Sequence, residues 1–521
     1  MKLNKKRTIL VGFAFFLICA FWQIYDVTIA MTLTNKFGME QDKSGIVMAL
    51  DNILALFMLP LFGSISDKCK AKMGRRKPFV MVGTILAVVF LMGLSFVDNA
   101  QLANIEKYSK VNDPATMEII YDEQKDTLLK TPEGVEYRLA DLYTREEFSQ
   151  LTTESKTTEL NNFGREVEVN LYTRHVVPAR QACAHAATSQ NPTTLYIFIG
   201  VLLLLLFSMA TFRTPAVALM PDVTVKPLRS KANAIINLMG NGGGILVLAL
   251  GSVLAVSKVK NAYMSYTMPY AIVGGIMLLA LLIFLATVKE PLWVRQMQEE
   301  SQKLGIEENE PEQTTAKRKL SKGERRSMVF LLASIVLWFF GYNAVTSKYT
   351  VYAQSVLDKD ATLTLLLANA AAIVSYIPVG IVASKVGRKK TILAGVAMLF
   401  TAFLVAAFMT ASSPSWLMTA MFILAGVAWA TINVNSFPMV VEMCSGSDVG
   451  KYTGYYYTAS MAAQSLTPYF SGLFMKKIAM TSLFPYAAIF VALAFATMIF
   501  VSHGDARVEA KKGLEALDIE D

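Results

Sequence analysis

The chain has 521 residues, of which 54% are hydrophobic and 17% are charged, and its net charge at pH 7 is +9. This composition excludes an ordinary soluble protein, because soluble domains carry about 25% charged residues on average. It does not indicate nucleic-acid binding either, because the basic residues lie in short loops between apolar segments and form no single patch.

Twelve apolar segments are long enough to cross a bilayer, which takes about 20 mostly apolar residues. In chain order they are 8–34, 42–66, 78–97, 194–219, 231–257, 266–288, 327–354, 361–384, 390–410, 415–442, 452–475 and 482–502. A polar stretch at 289–326 separates the first six apolar segments from the last six. The sequence therefore predicts an all-α membrane protein with twelve transmembrane helices in two pseudo-symmetric six-helix halves.

The loops between these segments predict the orientation. Lysines and arginines crowd residues 68–77, residues 385–390, the amino terminus and the end of the middle stretch. Because basic loops face the cytoplasm, both termini are expected there, in a multi-pass protein of the cell membrane.

The segment 98–192 is then expected outside the cell. It contains 16 acidic and 10 basic residues, a net charge of −6. Its alternating stretches 116–121 and 166–172, with turn-forming residues at 131–134, predict an extracytoplasmic insertion of mixed α/β or β content. The insertion is either passive or a lid or docking site for an outside partner, and the sequence leaves both open.

These segments divide the chain into six parts. The amino-terminal half comprises helices 1–3 at 1–97 and helices 4–6 at 193–288, on either side of the insertion. A cytoplasmic linker at 289–326 precedes the carboxy-terminal half, helices 7–12 at 327–503. A cytoplasmic tail follows at 504–521.

Two loops repeat one motif at matching places, after helices 2 and 8. The first copy contains Gly63, Asp67, Gly74, Arg75 and Arg76, and the second contains Gly380, Gly387 and Arg388. The glycines allow close approach of helices. Asp67 is able to accept hydrogen bonds from the start of a neighbouring helix or to pair with a basic residue. We expect such a charge network to hold the cytoplasmic side of a transporter closed and to break when that side opens.

The paired motifs, in register with six plus six helices, resemble the major facilitator superfamily over nearly the whole chain except 98–192. A narrower likeness rests on 59–63, on 66–79 and on helix 4 with its sequel, at 213–222 and 229–243. These segments resemble the proton-coupled sucrose symporters of plants and their animal relatives, and Asp26 falls where the animal members carry an acidic residue. The resemblance implies symport of a sugar with protons.

A more distant likeness is to the glycoside–pentoside–hexuronide cation symporters. Their sodium site uses aspartates on helix 2, where this chain has Asp51 but carries Ala55 and Leu59 at the other two positions. That departure makes protons the favoured coupling ion and sodium the less favoured one.

Four ionisable residues inside apolar segments matter most, because such groups are costly there and are functional by default. Asp26 on helix 1 and Asp51 on helix 2 are expected roughly 12–14 Å below the outer surface, at ~1.5 Å per residue. Lys348 has a similar depth on helix 7, whereas Arg213 is expected nearer the cytoplasm on helix 4.

We assign proton coupling to Asp26, Asp51 and Lys348. Burial and a neighbouring carboxylate favour the protonated form of an aspartate, while a lysine competes for its ionised form. The alternative is a fixed Asp26–Lys348 ion pair that only orients the helices.

Arg213 has two open interpretations. Its guanidinium offers a fork of donors to sugar hydroxyls or a carboxylate. Alternatively, it pairs with a cytoplasmic-side acid such as Glu442 and closes the inner side. The other predicted substrate contacts are uncharged side chains within the helices, namely Trp22, Gln23, Asn343, Asn433, Asn435, Tyr456 and Gln464. Amides, hydroxyls and aromatic faces bind sugars, but the same groups also join helices.

The sequence thus favours a secondary active transporter that symports a sugar or glycoside with protons by alternating access. The alternatives are a sodium-coupled or uncoupled carrier of another small solute, or a non-transporting membrane sensor that uses the outer insertion. No enzymatic activity, metal site or cofactor is expected, because the segments hold no metal-ligand cluster and no nucleophile–base pair. The expected partners are the bilayer, a small-molecule substrate of the sugar class and protons, with no nucleic acid and with the chain as a monomer.

Overall fold

The computed structural model describes residues 3–132, 134–160, 166–304, 320–357, 359, 361–444 and 448–505. The middle of the linker predicted at 289–326 and nearly all of the tail predicted at 504–521 lie outside these ranges. Helices make up most of the described chain.

The chain begins with four helices, α1 (Lys5–Met31), α2 (Gln41–Met48), α3 (Leu50–Asp67) and α4 (Lys77–Asn104). The side chain of Asn4 accepts a hydrogen bond from the N–H of Arg7 and so caps the start of α1. A π-helical turn at Thr32–Lys36 extends α1. Only Ala49 separates α2 from α3, and the two helices form one apolar span. α4 continues past its predicted end at 97.

The insertion contains both helices and strands. In chain order its elements are α5 (Glu106–Ser109), α6 (Pro114–Gln124), β1 (Leu129–Lys130), β2 (Glu136–Tyr137), α7 (Leu139–Leu142), α8 (Arg145–Ser149), β3 (Lys156–Leu160), β4 (Glu166–Asn170) and α9 (Val177–Gln190). The strands pair as two antiparallel hairpins, β1 with β2 and β3 with β4. Buried side chains from these elements form a hydrophobic core separate from that of the long helices.

One predicted strand of the insertion is wrong. Residues 116–121 lie in α6, because Asp113 caps that helix and Pro114 fits its first turn. The strand predicted at 166–172 is present as β4 over its first five residues. The predicted turn lies between β1 and β2, where the N–H of Gly134 donates to the carbonyl of Thr131 at 2.8 Å.

Within the described residues, ten further α-helices follow the insertion. They are α10 (Thr193–Asp222), α11 (Arg229–Val253), α12 (Thr267–Thr287), α13 (Glu290–Lys303), α14 (Lys322–Tyr352), α15 (Thr362–Val386), α16 (Arg388–Ala407), α17 (Ser415–Glu442), α18 (Val449–Lys477) and α19 (Leu483–Ile499). Among the described residues, eleven helical spans are long and apolar enough to cross a membrane, so this is a multi-pass membrane protein. α18, predicted as a span at 452–475, is 29 residues long but is not among the eleven. Its serines, threonines and tyrosines make it more polar.

The long helices pack as two groups, α1–α4 with α10–α12 and α14–α19. Within the first group, α1 lies against α11 so closely that a methyl group on Gly243 would come within 2.6 Å of the carbonyl oxygen of Phe16. The two groups meet where α3 packs on α18 and where α11 packs on α15 and α17. We call the end of the helices that carries both repeated loops the basic end, and the opposite end, next to α5–α9, the insertion end.

Candidate functional site

The first repeated loop contains a buried charge network at the basic end. Arg76 has no exposed side-chain surface, and it pairs with Asp67 at 2.6 Å and with Asp222 at 2.7 Å. Arg75 pairs with the other oxygen of Asp222, also at 2.7 Å. Although burial alone would lower the pKa of the Arg76 guanidinium, the two aspartates outweigh burial and raise it. Arg76 is therefore a fixed positive charge.

Asp67 links this network to the second group of helices. Its two carboxylate oxygens accept hydrogen bonds from the N–H groups of Gly450 and Lys451 at the start of α18, each at 2.9 Å. An anionic side chain is favourable at a helix start, where backbone N–H groups are unpaired. A methyl group on Gly63 would overlap the carbonyl of Gly450, so the two glycines allow α3 and α18 to touch. Asp67 thus makes both of the contacts that its position suggested.

Glu290 secures the same loop from the start of α13. Its carboxylate accepts the N–H groups of Arg76 and Lys77, both at 2.9 Å, and so caps α4. Burial raises the pKa of Glu290 above its ordinary value, against the effect of these hydrogen bonds. The loop bends sharply at Gly74, which has a φ of +115°. The repeated motif did not indicate Glu290, because this residue lies far from the motif in the chain.

The second repeated loop has a related arrangement. Arg388 pairs with Glu442 at the end of α17, as Arg75 pairs with Asp222 at the end of α10. Its Nε donates to the hydroxyl of Ser230 at 2.8 Å, and another guanidinium nitrogen donates to the carbonyl of Lys226. Asp505 accepts the N–H of Arg388 at 2.6 Å, and Gly387 has a φ of +102°. Arg388 therefore joins the second group of helices to the start of α11.

A second charged group lies farther from the basic end, on α1, α3 and α10. The carboxylates of Asp26 and Asp51 interact electrostatically with each other and with the guanidinium of Arg213. Arg213 lies between two aromatic rings, 5.2 Å from the ring centre of Trp22 and 5.0 Å from that of Tyr457. Asp26 is exposed, whereas Asp51 and Arg213 are half-buried.

Within the described residues, several buried polar atoms close to this charged group have no hydrogen-bond partner. Four buried atoms have no hydrogen-bond partner among the described residues: Trp22 Nε1, Tyr25 OH, Asp51 Oδ1 and Arg213 Nε. Trp22 and Tyr25 pack edge to face at 5.1 Å. Unpaired buried polar atoms are costly and are uncommon in folded proteins, so their concentration here indicates a site for water or a polar ligand.

Two ion pairs that the sequence left open as alternatives are absent from the described part of the chain. Lys348, half-buried on α14, has no ion pair with Asp26; its Nζ lies near Gly472 of α18. Glu442 pairs with Arg388, not with Arg213.

The predicted uncharged contacts fall into different environments. Asn433 accepts from the hydroxyl of Tyr456 at 3.4 Å, and its carbonyl accepts from Asn233 of α11 at 3.3 Å. The amide nitrogen of Asn435 donates within α17 to Thr431, and its oxygen is buried with no partner in the described part of the chain. The amide nitrogen of Asn343 is also buried without a partner among the residues described. Gln23, near Gly244, and Gln464 are both half-buried.

Several aromatic residues near these positions were missed. Trp429 stacks on Tyr342, with ring centres 3.8 Å apart and planes 4° from parallel. Tyr376 on α15 is within reach of hydrogen bonds to Asn241 and Asn433. Tyrosine and tryptophan are common in membrane helices, so composition alone did not distinguish these three from residues that only pack. Spacing was a usable signal for Tyr25, which adjoins Asp26 and lies one turn after Trp22.

Comparison with known proteins agrees with this architecture. A family model described as Major Facilitator Superfamily matches residues 181–375 and 361–518, and one described as MFS/sugar transport protein matches 10–106. The proton-associated sugar transporter A proteins of Homo sapiens and Mus musculus are each 35% identical to this chain over 66 residues. That alignment spans 13% of this chain and only 8% of each relative.

Solved structures show the same fold at low identity. FucP, a transporter of this superfamily captured in the outward conformation, has a TM-score of 0.60 at 12% identity, covering 95% of this chain and 98% of its own. The proton:xylose symporter XylE has a TM-score of 0.54 at 12% identity, and the alignment covers 99% of this chain and 100% of XylE. An outward-facing bacterial homologue of the iron transporter ferroportin has a TM-score of 0.58 at 12% identity. The alignment covers 96% of this chain and 99% of the homologue. These likenesses concern the fold alone.

Proposed function

Because the chain belongs to the major facilitator superfamily, we propose that it is a secondary active transporter that symports a sugar or glycoside with protons by alternating access. In this proposal twelve transmembrane helices form two six-helix halves, with the basic end and both termini in the cytoplasm and the insertion outside the cell membrane. The observation that carries the proposal is the charged group of Asp26, Asp51 and Arg213 inside apolar helices.

Proton coupling follows from the position of the two carboxylates. Asp26 is exposed and so is open to protonation, whereas Asp51 has one buried oxygen without a partner. Protonation of one carboxylate removes its repulsion with the other, whereas the positive charge of Arg213 favours the ionised form of both. Entry or loss of one proton thereby changes how strongly Arg213 is held. Lys348 is left without a direct role in this step.

The sugar assignment rests on the groups around Arg213. Trp22 and Tyr457 offer aromatic faces, and Trp22 Nε1 and Tyr25 OH are unpaired hydrogen-bonding groups for hydroxyls. The match to a sugar-transport family model and the names of XylE and of the human relative support the same class. On the opposite helices, the amide nitrogen of Asn343 and the amide oxygen of Asn435 also lack partners among the described residues.

The conformation is outward-facing in this proposal. The contacts between the helix groups at Asp67–Gly450 and Arg388–Ser230 lie at the basic end and close it. The exposed Asp26 lies toward the other end of α1, on the side of the insertion.

Uptake by the purified protein in liposomes tests the proposal. We expect a panel of mono- and disaccharides, offered with an inward proton gradient, to include one that accumulates, and a sodium gradient to give no accumulation. Asp26→Asn should abolish accumulation driven by the proton gradient while retaining exchange of labelled for unlabelled sugar. The matched control is Asp126→Asn, which alters an exposed aspartate of the insertion.

Three results would count against parts of the proposal. Absence of uptake for every sugar under all gradients contradicts the substrate class. Undiminished proton-driven accumulation in Asp26→Asn contradicts the coupling site. Accumulation driven by sodium and indifferent to pH favours the sodium-coupled alternative.

A further inference from the structure

A groove opens on the outer wall of the second helix group, at the insertion end. It has a volume of about 430 Å³, within the range of small-molecule sites. It lies between the end of α18 and the start of α19, and its wall is almost entirely apolar. The principal lining residues are Phe474, Ile478, Ser482, Tyr486, Ile489 and Phe490.

Aromatic rings give this groove a continuous face. The rings of Phe474 and Tyr486 lie 5.3 Å apart, and those of Tyr486 and Phe490 lie 4.6 Å apart. Phe340 of α14 extends the row, because its ring stacks on Phe490 at 5.2 Å and 19°. Rings held in contact on two or three helices form a stiff surface that suits a rigid partner more than a flexible one.

Two hydroxyl groups in the groove lack hydrogen bonds. The Tyr486 OH and the Ser482 Oγ are both buried and have no partner among the described residues. Tyr486 is only 5% exposed, so its hydroxyl has little access to water. Ser482 immediately precedes α19 and Tyr486 lies in the first turn of that helix, and both side chains line the groove. An otherwise apolar groove therefore holds one small polar spot.

Apolar side chains around the groove are exposed on the outer wall of the helices. Ile478, the residue after the end of α18, is 68% exposed, and Ile489 of the apolar helix α19 is 60% exposed. The next residues before Ile478 are Lys476 and Lys477, which are exposed at the end of α18. Lysines at the end of a span extend toward the membrane surface. The polar spot is thus within a few residues of that surface, and the apolar wall continues into the bilayer.

We propose that this groove binds a flat, fused-ring membrane alcohol of the sterol class. Its single hydroxyl would bond to the Tyr486 OH and Ser482 Oγ near the membrane surface. Its rigid ring system would lie along the face formed by Phe474, Tyr486 and Phe490. This proposal is independent of which solute the protein transports, because no residue of the groove belongs to the charged group on α1, α3 and α10.

A phospholipid chain fits the groove less well. A flexible acyl chain loses more conformational freedom than a rigid ring system when it lies in a shaped groove. It also has no donor or acceptor along its length to satisfy two buried hydroxyls, which are costly when unpaired. An alcohol that both donates and accepts one hydrogen bond satisfies both.

Photolabelling of the full-length protein in phospholipid nanodiscs tests the proposal. The probe is a cholesterol analogue that carries a diazirine on its ring system, and labelled peptides are identified by mass spectrometry. We expect labelling within 474–490, removed by excess cholesterol. Tyr486→Phe and Ser482→Ala should each weaken it about fivefold, as the loss of one hydrogen bond does. Tyr469→Phe, which removes an exposed hydroxyl of α18 outside the groove, should leave it unchanged.

Stereochemical competition separates specific binding from partition into the membrane. The 3α-epimer of cholesterol has the same ring system with its hydroxyl misdirected, so it should compete several-fold less well. Equal competition by the epimer, or equal labelling of wild type, Tyr486→Phe and Ser482→Ala, overturns the proposal. Displacement of the probe by phospholipid as effectively as by cholesterol overturns it in favour of an acyl chain. Because Ser482→Ala alters only a small side chain, it remains informative if Tyr486→Phe fails to fold.

Discussion

In the first copy of the repeated loop, Asp67 crosses from α3 to the start of α18. In the second copy Ser384 stands at the matching place, four residues after Gly380, and its hydroxyl bonds at 2.8 Å to Ile381 on its own helix. The crossing contact there comes from Arg388, which reaches Ser230 and Lys226. Two copies of one motif thus close the basic end with different side chains.

The remaining correspondences show where the copies agree. Arg75 with Asp222 matches Arg388 with Glu442, since each pair joins the loop to the end of a helix, α10 or α17. Glu290 matches Asp505, because each accepts backbone N–H groups at the start of a helix that follows the loop. Arg76, by contrast, is replaced by Lys389, whose amine bonds to the carbonyl of Ile499.

This difference between the two copies predicts that the two interfaces between the helix groups are unequally strong. The first interface joins the helix groups through a buried ionised network, in which the loss of one partner leaves other charges uncompensated. At the second interface, the hydrogen bond between Arg388 and Ser230 has a neutral acceptor. We therefore expect the first interface to resist opening more strongly, and substitutions there to have the larger effects.

Arg76→Gln should have the largest effect. It removes both ion pairs and leaves the carboxylates of Asp67 and Asp222 buried near each other without their shared cation. Breaking a buried ion pair typically costs about 3–5 kcal/mol. We expect a lower melting temperature of the purified protein and loss of most uptake.

The matched control for this substitution is Lys389→Gln, at the corresponding position of the second copy, which should be far milder. If the two variants melt at the same temperature, the interfaces at the two loops are equally strong, contrary to the expected order.

The sequence predicted most of the helices because apolar length is a strong signal, and it predicted the contacts of Asp67 because the repeated motif placed them. It did not predict Glu290 or Asp505, since each is distant in the chain from the loop that it caps. The Asp26–Lys348 and Arg213–Glu442 pairs, which the sequence left open as alternatives, are absent among the described residues for another reason. Depth along a helix does not determine the direction in which a side chain points around the helix axis, and that direction decides its partners.

Gly63→Ala should have an intermediate effect. The added methyl group would overlap the carbonyl of Gly450, a backbone atom that moves only if α3 and α18 separate. Overpacking of this kind costs typically about 1–3 kcal/mol. Spin-label distances between the basic ends of α3 and α18 should broaden toward longer values, and uptake should fall.

Gly380→Ala is the paired substitution in the second copy. Its methyl group would meet the side-chain carbon of Ala234 at 2.9 Å and the carbonyl of Ser230 at 3.2 Å, which a smaller shift relieves. A larger change in distance or uptake for Gly380→Ala than for Gly63→Ala would reverse the proposed order of the two interfaces.

Ser384→Asp should have the smallest effect, and in the opposite direction. It gives the second copy the acidic residue of the first, near the start of α11, where backbone N–H groups and the helix dipole favour a negative charge by about 0.3–1 kcal/mol. Because the hydrogen bond of the Ser384 hydroxyl lies at the surface and stays within α15, little is lost in the exchange. We expect a slightly higher melting temperature and slower transport, since a more stable closed basic end must still open in each cycle. A Ser384→Asn variant lacks the charge and should show neither change. If the asparagine and aspartate variants behave alike, the advantage of the first copy lies in the packing of Gly63 on Gly450 and not in the charge of Asp67.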